Sequence, residues 1–262
     1  MTFPHAPCVL LNLDVMDATG EQQVGLEHDI YKVRLDSRGS RIDTQRETQR
    51  GHQKAKALHS ALNNTVDASY CGSCYGGTPP NPGSKCCNTC EDVRRAYTLV
   101  GWGFSNPDNF EQCVREHWKE NIAKQAKEGC MMHGSLTVNK VAGNFHIMAG
   151  QSTLYNNMHI RALYSYMPKN YDFSHTINHL SFGNQYESMV NPLDGATKVA
   201  PLRDLRYQYF LKVVGTEINY TSKPKLITNQ YSVTEHVKKM ESMFMSGIDA
   251  GKTQYMLVGV YG

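Results

Sequence analysis

The eight cysteines are the residues of this 262-residue chain most able to do chemistry. Five of them fall within twenty residues, in the stretch CGSCYGGTPPNPGSKCCNTC, at Cys71, Cys74, Cys86, Cys87 and Cys90. The other three are Cys8, Cys113 and Cys130. Crowding of cysteines in a polar loop rich in glycine and proline indicates a metal site, a set of disulfide bonds or a reactive thiol, rather than simple apolar packing.

Each of these three chemistries predicts a different function. The pair Cys71 and Cys74, followed by the Cys86-Cys87-x-x-Cys90 group, has the spacing of a tetrahedral zinc site. Cys71 and Cys74 could instead form the dithiol of a thiol–disulfide oxidoreductase, although they lack the βαβ context typical of that activity. The third possibility is a framework of structural disulfides. On spacing alone a zinc site is the first choice, and the other two chemistries stay open.

The elements that must position these cysteines predict a mainly β fold. Short apolar or alternating runs, separated by Gly, Asn and Pro turns, are typical of strands near both ends of the chain. We therefore expect a single domain over residues 1–262. Its parts are a β-sandwich of residues 1–36 and 131–262, a polar loop at 37–65 and a cysteine-rich helical insertion at 66–130.

Two helices with clear end signals are predicted in the insertion. Thr89 and Asp92 have the spacing of a capping box at the start of the first helix, and Gly101 would end it. The second helix is expected to begin at Asn106-Pro107 and to run unbroken to Gly129. Together they predict a helical hairpin beside the cysteine-rich loop.

These helices limit which cysteines can pair. On an unbroken second helix, Cys113 and Cys130 would lie roughly 25 Å apart at 1.5 Å per residue, far beyond disulfide reach. Cys90 begins the first helix and Cys113 lies near the start of the second, so we expect a bridge between them. Cys130 would then be left for Cys86 or Cys87. The full connectivity of eight cysteines does not follow from the sequence.

Other candidate sites are sparse, and we predict no enzyme activity and no cofactor. Hydrolase, nucleotide-binding and His-Glu-x-x-His motifs are absent. On a strand, His175 and His179 would lie about 13 Å apart at 3.3 Å per residue, too far to share a metal ion. The net charge is only +3 and the known DNA- and RNA-binding motifs are absent, which argues against nucleic-acid binding. The sequons at Asn63 and Asn219 are glycosylation candidates and indicate a secretory lumen.

Four large side chains near the cysteines could form an exposed docking patch or pack beneath the helical hairpin. They are Tyr70, Tyr75, Trp102 and Phe104. Large apolar side chains in a covalently held loop need not point inward, and exposed patches of this kind often bind other proteins. The sequence leaves both interpretations open.

Several motifs resemble the endoplasmic reticulum–Golgi intermediate compartment (ERGIC) family of vesicle cargo receptors, in particular its larger subunit. They are TFPHAPC, LDVMDATGEQQ, CGSCYG, CCNTCEDVRRAY, GWGFSNPDNFEQC, GSLTVNKVAGNFHIMAG, SHTINHLSFG, VNPLDG and TNQYSVTEH. The resemblance covers nearly the whole chain, and CCNTCEDVR and VNKVAGNFH are its most specific parts.

The resemblance implies a β-rich domain in the lumen of the ER, the intermediate compartment and the Golgi, held between two transmembrane helices that this chain does not include. It implies a smaller homologous subunit as partner, cytosolic tails that contact vesicle coats, and transport or retrieval of luminal cargo proteins. For cargo binding it points to the cysteine-rich region, here Cys71, Cys74, Tyr75, Cys86, Cys87 and Cys90. Because such a receptor moves between a neutral and a mildly acidic compartment, we also expect its affinity for cargo to depend on pH.

Overall fold

The structure is a computed structural model of the chain. It describes residues 1–17, 28–42, 47–48, 70–81, 83–104, 106–138, 140–149, 151–155, 158–162, 171–200, 205–222, 224–239 and 255–261. Most of the predicted polar loop at 37–65 lies outside these residues. The sequence also predicts a short helix in this loop near Lys54 to Leu62, and that segment is likewise outside them.

Strands dominate the described residues, which confirms the mainly β prediction. The strands are β1 (Thr2–Phe3), β2 (Leu11–Asp17), β3 (His28–Leu35), β4 (Glu47–Thr48), β5 (Gly129–Leu136), β6 (Gly143–Ala149), β7 (Gln151–Tyr155), β8 (Met158–Ala162), β9 (His175–Ile177), β10 (Ala196–Lys198), β11 (Leu205–Ile218), β12 (Leu226–Lys239) and β13 (Tyr255–Tyr261).

These strands form two larger sheets and one small one. The six-stranded sheet has the order β10-β9-β1-β5-β3-β4, and the five-stranded sheet has the order β12-β11-β13-β6-β2. Strands β7 and β8 pair with each other. Neighbouring strands are antiparallel except β11 and β13, which are parallel. The cysteine-rich insertion enters the chain between β4 and β5, both of which belong to the six-stranded sheet.

The two larger sheets face each other across one core. His175 of β9 is 1% exposed, and its Nε2 lies 2.7 Å from the hydroxyl of Tyr209 on β11. The His175 ring also contacts the rings of Phe3 on β1 and Tyr207 on β11. Tyr207, Tyr209 and Leu211 are buried at every second position of β11, as expected for the core face of a strand. The arrangement is a β-sandwich.

The first predicted helix is confirmed as α1 (Cys90–Leu99). The Thr89 hydroxyl accepts a hydrogen bond from the Asp92 backbone N–H at 3.1 Å, and an Asp92 carboxylate oxygen accepts one from the Thr89 N–H at 3.1 Å. This reciprocal pair is the predicted capping box. After the helix, Gly101 takes a φ of 70°, the left-handed conformation that ends many helices.

The prediction of one unbroken second helix is wrong. The chain instead forms a 3₁₀ helix (Pro107–Asn109), α2 (Glu111–Arg115), α3 (Trp118–Lys124) and a second 3₁₀ helix (Gln125–Lys127). Phe110 is extended, and His117 has a left-handed φ of 47°. Because neither break falls at a glycine or a proline, the apolar periodicity of the sequence did not reveal them.

One predicted strand is shorter than its sequence pattern indicates. The apolar run from Ile177 to Phe182 predicts a strand, but β9 ends at Ile177. The following residues form a loop held by Asp194, whose carboxylate accepts a hydrogen bond from the Leu180 N–H at 2.9 Å and lies 2.8 Å from His179 Nδ1. Local side-chain bonds to the backbone replace the strand here.

Among the described residues, no helix is long and apolar enough to cross a membrane.

Candidate functional site

All eight cysteines form disulfide bonds. Three of the bonds lie within the insertion, here residues 70–128, and pair Cys71 with Cys86, Cys74 with Cys87 and Cys90 with Cys113. The Cys90–Cys113 bond joins the start of α1 to α2 across a Cα–Cα distance of 4.5 Å, and it is the bridge predicted from the two helices. The insertion is therefore linked covalently at three places.

The expectation that Cys130 pairs with Cys86 or Cys87 is wrong. Cys130 is bonded to Cys8, with a Cα–Cα distance of 4.8 Å. The position of Cys130 explains this pairing. Cys130 lies in β5 directly opposite Phe3 of β1, and Cys8 follows β1 closely in the chain. This fourth bond belongs to the sandwich at the end of the insertion.

The disulfide pattern gives no support to the two other cysteine chemistries. Cys71 and Cys74 are each bonded to a different partner rather than to each other, so they do not form the bond that a CxxC redox centre would use. Within the described ranges, no three His, Cys, Asp or Glu side chains are grouped to hold a metal ion. The bonds do differ in exposure, since Cys71 is exposed whereas Cys74 and Cys87 are buried.

A buried glutamine connects the segments that the disulfides bring together. Gln112 of α2 is fully buried, and its Nε2 donates to the backbone oxygens of Ser73 at 2.9 Å and Cys87 at 2.7 Å. Its Oε1 accepts a hydrogen bond from the Tyr75 hydroxyl at 3.2 Å, and that hydroxyl accepts one from the Glu111 N–H at 3.0 Å. Satisfied buried networks of this kind fix one arrangement of the backbone.

Gly72 packs directly against the second cysteine-bearing segment. The Cys87 N–H donates to the Gly72 carbonyl at 2.9 Å, and the Gly72 N–H donates to the side chain of Asn88 at 2.9 Å. A Cβ at this position would lie 2.3 Å from the Cys87 oxygen and 2.6 Å from Gln112 Nε2. Only glycine leaves room for this approach.

The side of the insertion next to Tyr70 is held by polar contacts. Arg115 donates to the backbone oxygen of Asn88 at 2.7 Å, and its guanidinium lies 4.7 Å from the centre of the Tyr70 ring. The Cys90 N–H at the start of α1 donates to the Glu116 carboxylate at 3.2 Å. Tyr70 is thus half-buried beneath a cation rather than part of an open apolar patch.

Acidic and basic side chains pair along α1. Arg94 and Arg95 both donate to the Glu91 carboxylate, at 2.5 Å and 3.1 Å. Burial alone would raise the pKa of Glu91, but the two guanidinium groups outweigh it and hold the pKa below its usual range. The carboxylate is therefore ionised at neutral pH and stabilises the first turn of the helix.

Two of the candidate aromatic residues pack beneath the helices. Phe104 is buried and stacks on buried Phe110, with 5.0 Å between the ring centres. Tyr97 of α1, Tyr75 and Trp118 of α3 meet one or both of these phenylalanines edge to face. Phe104 therefore belongs to the core of the insertion, and Tyr75 is half-buried with its hydroxyl committed to the hydrogen bonds with Gln112 and Glu111.

Trp102 behaves differently and remains half exposed, at 50%. Its ring meets Tyr97 edge to face at 5.4 Å and covers Gly76, where an added Cβ would lie 3.4 Å from two ring atoms. Leu99, at the end of α1, is 60% exposed. Leu99 and Trp102 lie three residues apart in the chain, and together with Gly76 we call them the Trp102 surface. It presents large apolar side chains to solvent on a covalently fixed support.

The two candidate histidines lie in different environments and are not arranged to bind one metal ion. Burial lowers the pKa of His175, although the hydrogen bond with the Phe173 carbonyl opposes the effect. His179 is on the surface, and its ring nitrogens lie 2.8 Å from Asp194 Oδ2 and 3.0 Å from Ser181 Oγ. His175 is thus a core residue that is neutral at pH 7.

The structure describes one of the two sequons. Asn219 is exposed in the turn between β11 and β12. Asn63 lies outside the described residues.

Sequence reasoning missed the roles of two residues in the insertion, Gln112 and Gly72, and the partner of Cys8 in the sandwich. Cys8 was counted among the cysteines, but no local pattern links it to a partner 122 residues away. Gln112 looks like an ordinary polar residue of an amphipathic helix, and Gly72 looks like one of several loop glycines. Their roles arise from tertiary contacts, so a one-dimensional pattern carries no signal for them.

Comparison with known proteins finds a matching family model and relatives that are similar over most of the chain. A family model described as "Endoplasmic reticulum vesicle transporter" matches residues 74–261. The probable endoplasmic reticulum-Golgi intermediate compartment protein 3 of Dictyostelium discoideum is 42% identical over 238 residues, which are 91% of this chain and 61% of that protein. The ER-derived vesicles protein ERV46 of Saccharomyces cerevisiae is 34% identical over 269 residues, covering 92% of this chain and 63% of that protein.

A shorter similarity is found to a second type of relative. The endoplasmic reticulum-Golgi intermediate compartment protein 2 of Homo sapiens is 43% identical over 119 residues, which are 45% of this chain and 31% of that protein. The chain thus spans less than two thirds of the length of relatives that match nearly all of it, 61% and 63% in the first two described above.

Proposed function

Because this chain belongs to the endoplasmic reticulum vesicle transporter family, we propose that it forms the luminal domain of a membrane cargo receptor that cycles between the ER and the Golgi. The receptor binds luminal proteins and transports or retrieves them in coated vesicles. Its relatives are proteins of the ER-Golgi intermediate compartment and of ER-derived vesicles, and this places the chain in the same compartments. Four disulfide bonds agree with an oxidising lumen.

Cargo binding is proposed for the insertion, on the region of Cys71, Cys74, Tyr75, Cys86, Cys87 and Cys90. The observation that supports it is the Trp102 surface, where a tryptophan and a leucine are at least half exposed beside a loop closed by disulfides. Rigid aromatic anchors surrounded by polar groups are typical of the strongest contacts in protein interfaces. A covalent support also lowers the entropy that such a surface loses on binding.

Further partners are proposed for the whole receptor rather than for this chain alone. We propose a hetero-oligomer with a smaller homologous subunit, in keeping with the two types of relative that the chain resembles. Contacts with vesicle coats would be made by cytosolic tails, and membrane attachment by helices, neither of which is part of the described domain. The pH dependence of cargo affinity stays a prediction.

The test uses single substitutions on the Trp102 surface in the full-length receptor. The family resemblance implies that the cargo includes ER-resident proteins that lack a C-terminal retrieval signal, so we expect Trp102→Ala and Leu99→Ala to release such residents into the medium. Ile227→Ala is the matched control, since Ile227 is 65% exposed, similar to Leu99 at 60%, and lies in the sandwich. Quantitative mass spectrometry of the medium measures the release, and residents that carry the retrieval signal serve as an internal standard.

The role of the Trp102 surface is excluded if both variants retain residents as well as wild type while remaining folded. Folding is checked by far-ultraviolet circular dichroism, because Trp102→Ala removes one of the two tryptophans and so changes the near-ultraviolet signal of a folded variant as well. Equal release by Ile227→Ala would also contradict it.

A further inference from the structure

The turn between β11 and β12 projects a sequon away from the sheets. The two strands pair as far as Ile218 opposite Leu226. An ion pair between Glu217 and Lys225, at 3.2 Å, closes the base of the turn. Residues 219–222 beyond it are all exposed. Asn219 therefore occupies the tip of a hairpin whose base is fixed by strand pairing and by charge.

We propose that Asn219 carries an N-linked oligosaccharide. The triplet Asn219-Tyr220-Thr221 has the acceptor pattern, its middle residue is not proline, and Pro224 lies beyond it. N-linked glycans are bulky and require a surface position, which this turn provides. The inference rests on the luminal location in the proposed function, because the transfer takes place only in that compartment.

The reaction needs a glycan donor and a transferase from the secretory pathway. The side-chain amide nitrogen of Asn219 forms a bond to the anomeric carbon of an oligosaccharide linked to a polyprenyl diphosphate. The bond between that carbon and the diphosphate oxygen breaks, and polyprenyl diphosphate leaves. The amide nitrogen loses one proton to a base of the transferase, and no oxidation or reduction occurs. Thr221 supplies the hydroxyl that the acceptor pattern requires.

The surroundings of the turn indicate what a glycan there would cover. This end of the hairpin exposes Val214 at 52% and Ile227 at 65%. Exposed apolar side chains favour association with other chains. A glycan on Asn219 covers these side chains and keeps this end of the hairpin out of a tight protein interface.

Three substitutions in the full-length protein test the proposal in eukaryotic cells. All are made in a background in which Asn63→Gln, and the same change at any sequon outside these 262 residues, leaves Asn219 as the sole acceptor. We expect a glycosidase specific for Asn-linked glycans to increase the electrophoretic mobility by one glycan in the parent. Asn219→Gln and Thr221→Ala abolish this shift, and Thr221→Ser, which keeps the acceptor pattern, retains it. Because transfer precedes folding in the lumen, a folding defect in a variant would not itself remove the glycan.

The outcome also separates this inference from the proposed function. If protease protection places the domain in the lumen with its disulfides formed, but the parent shows no shift, the glycan proposal is overturned and the receptor proposal stands. A shift that persists in Asn219→Gln overturns it equally. If the domain is exposed to the cytosol with free thiols, both proposals fail.

Discussion

The sandwich and the insertion reach stability in different ways. In the sandwich, long paired strands and a shared core bury side chains such as Phe3, Tyr209 and Leu211. The helices of the insertion are short, with ten, five and seven residues, and three disulfides join its segments within 43 residues, from Cys71 to Cys113. Helices of this length are not stable without tertiary support.

This difference bears on how much core each region needs. The sandwich is held by strand pairing and burial, although it also exposes aliphatic side chains such as Val214 and Ile227. The insertion is held largely by covalent bonds, and each bond contributes roughly 2–4 kcal/mol whether or not nearby apolar side chains are buried. Phe104 and Phe110 supply its small core, while Trp102 and Leu99 remain exposed.

The two regions can be observed separately in solution. Both tryptophans of the chain, Trp102 and Trp118, lie in the insertion. Tryptophan fluorescence therefore reports on the insertion, and the β signal in far-ultraviolet circular dichroism reports mainly on the sandwich. Comparing the two signals shows which region a substitution affects.

The largest effect is expected from Gly72→Ala. The new Cβ would meet the Cys87 backbone oxygen at 2.3 Å, so the two cysteine-bearing segments must move apart. Overpacking of this kind costs about 1–3 kcal/mol. We expect the fluorescence transition in urea to shift to a lower concentration, with the circular dichroism transition less affected.

Gly103→Ala is the control for this substitution. Gly103 also lies in the insertion, but an added Cβ there has no atom within 4 Å. We expect its stability to stay within about 0.5 kcal/mol of wild type. A destabilisation equal to that of Gly72→Ala would show that loss of glycine flexibility, rather than the contact with Cys87, is responsible.

A smaller effect is expected from a change in pH, and it falls on the sandwich rather than on the insertion. His175 is buried in the sandwich, and its pKa is lowered, chiefly by desolvation. Below the unfolded-state pKa of about 6.5, the unfolded chain binds a proton that the folded chain does not. Stability of the sandwich therefore falls as pH decreases below about 6.5. Circular dichroism melting temperatures between about pH 7.5 and 5.5 measure this dependence.

His175→Gln tests whether this residue is the source of the dependence. Glutamine does not titrate, so the variant is expected to be less stable at pH 7 but to lose stability more slowly as pH falls. An unchanged slope in the variant would assign the pH dependence to other groups. The fluorescence transition of the insertion is expected to show less of this slope than circular dichroism does.

Strand content and the first helix could be predicted because their signals are local. The capping box at Thr89 and Asp92 and the alternation along β11 are short patterns with a direct physical cause. The breaks at Phe110 and His117 could not be predicted, since tertiary packing imposes them on residues that accept a helix equally well. The pairing of Cys8 joins segments far apart in sequence, and only the sheet order brings them together.

The most direct test of the central claim is graded reduction of the folded domain under native conditions. Mass spectrometry counts the bonds lost, while fluorescence and circular dichroism are recorded on the same samples. If disulfides hold the insertion, reduction of Cys74–Cys87 and Cys90–Cys113 shifts the tryptophan emission to that of solvent-exposed indole and leaves the β signal in place. An unchanged emission after both bonds are reduced would contradict the account, as would loss of both signals in one transition.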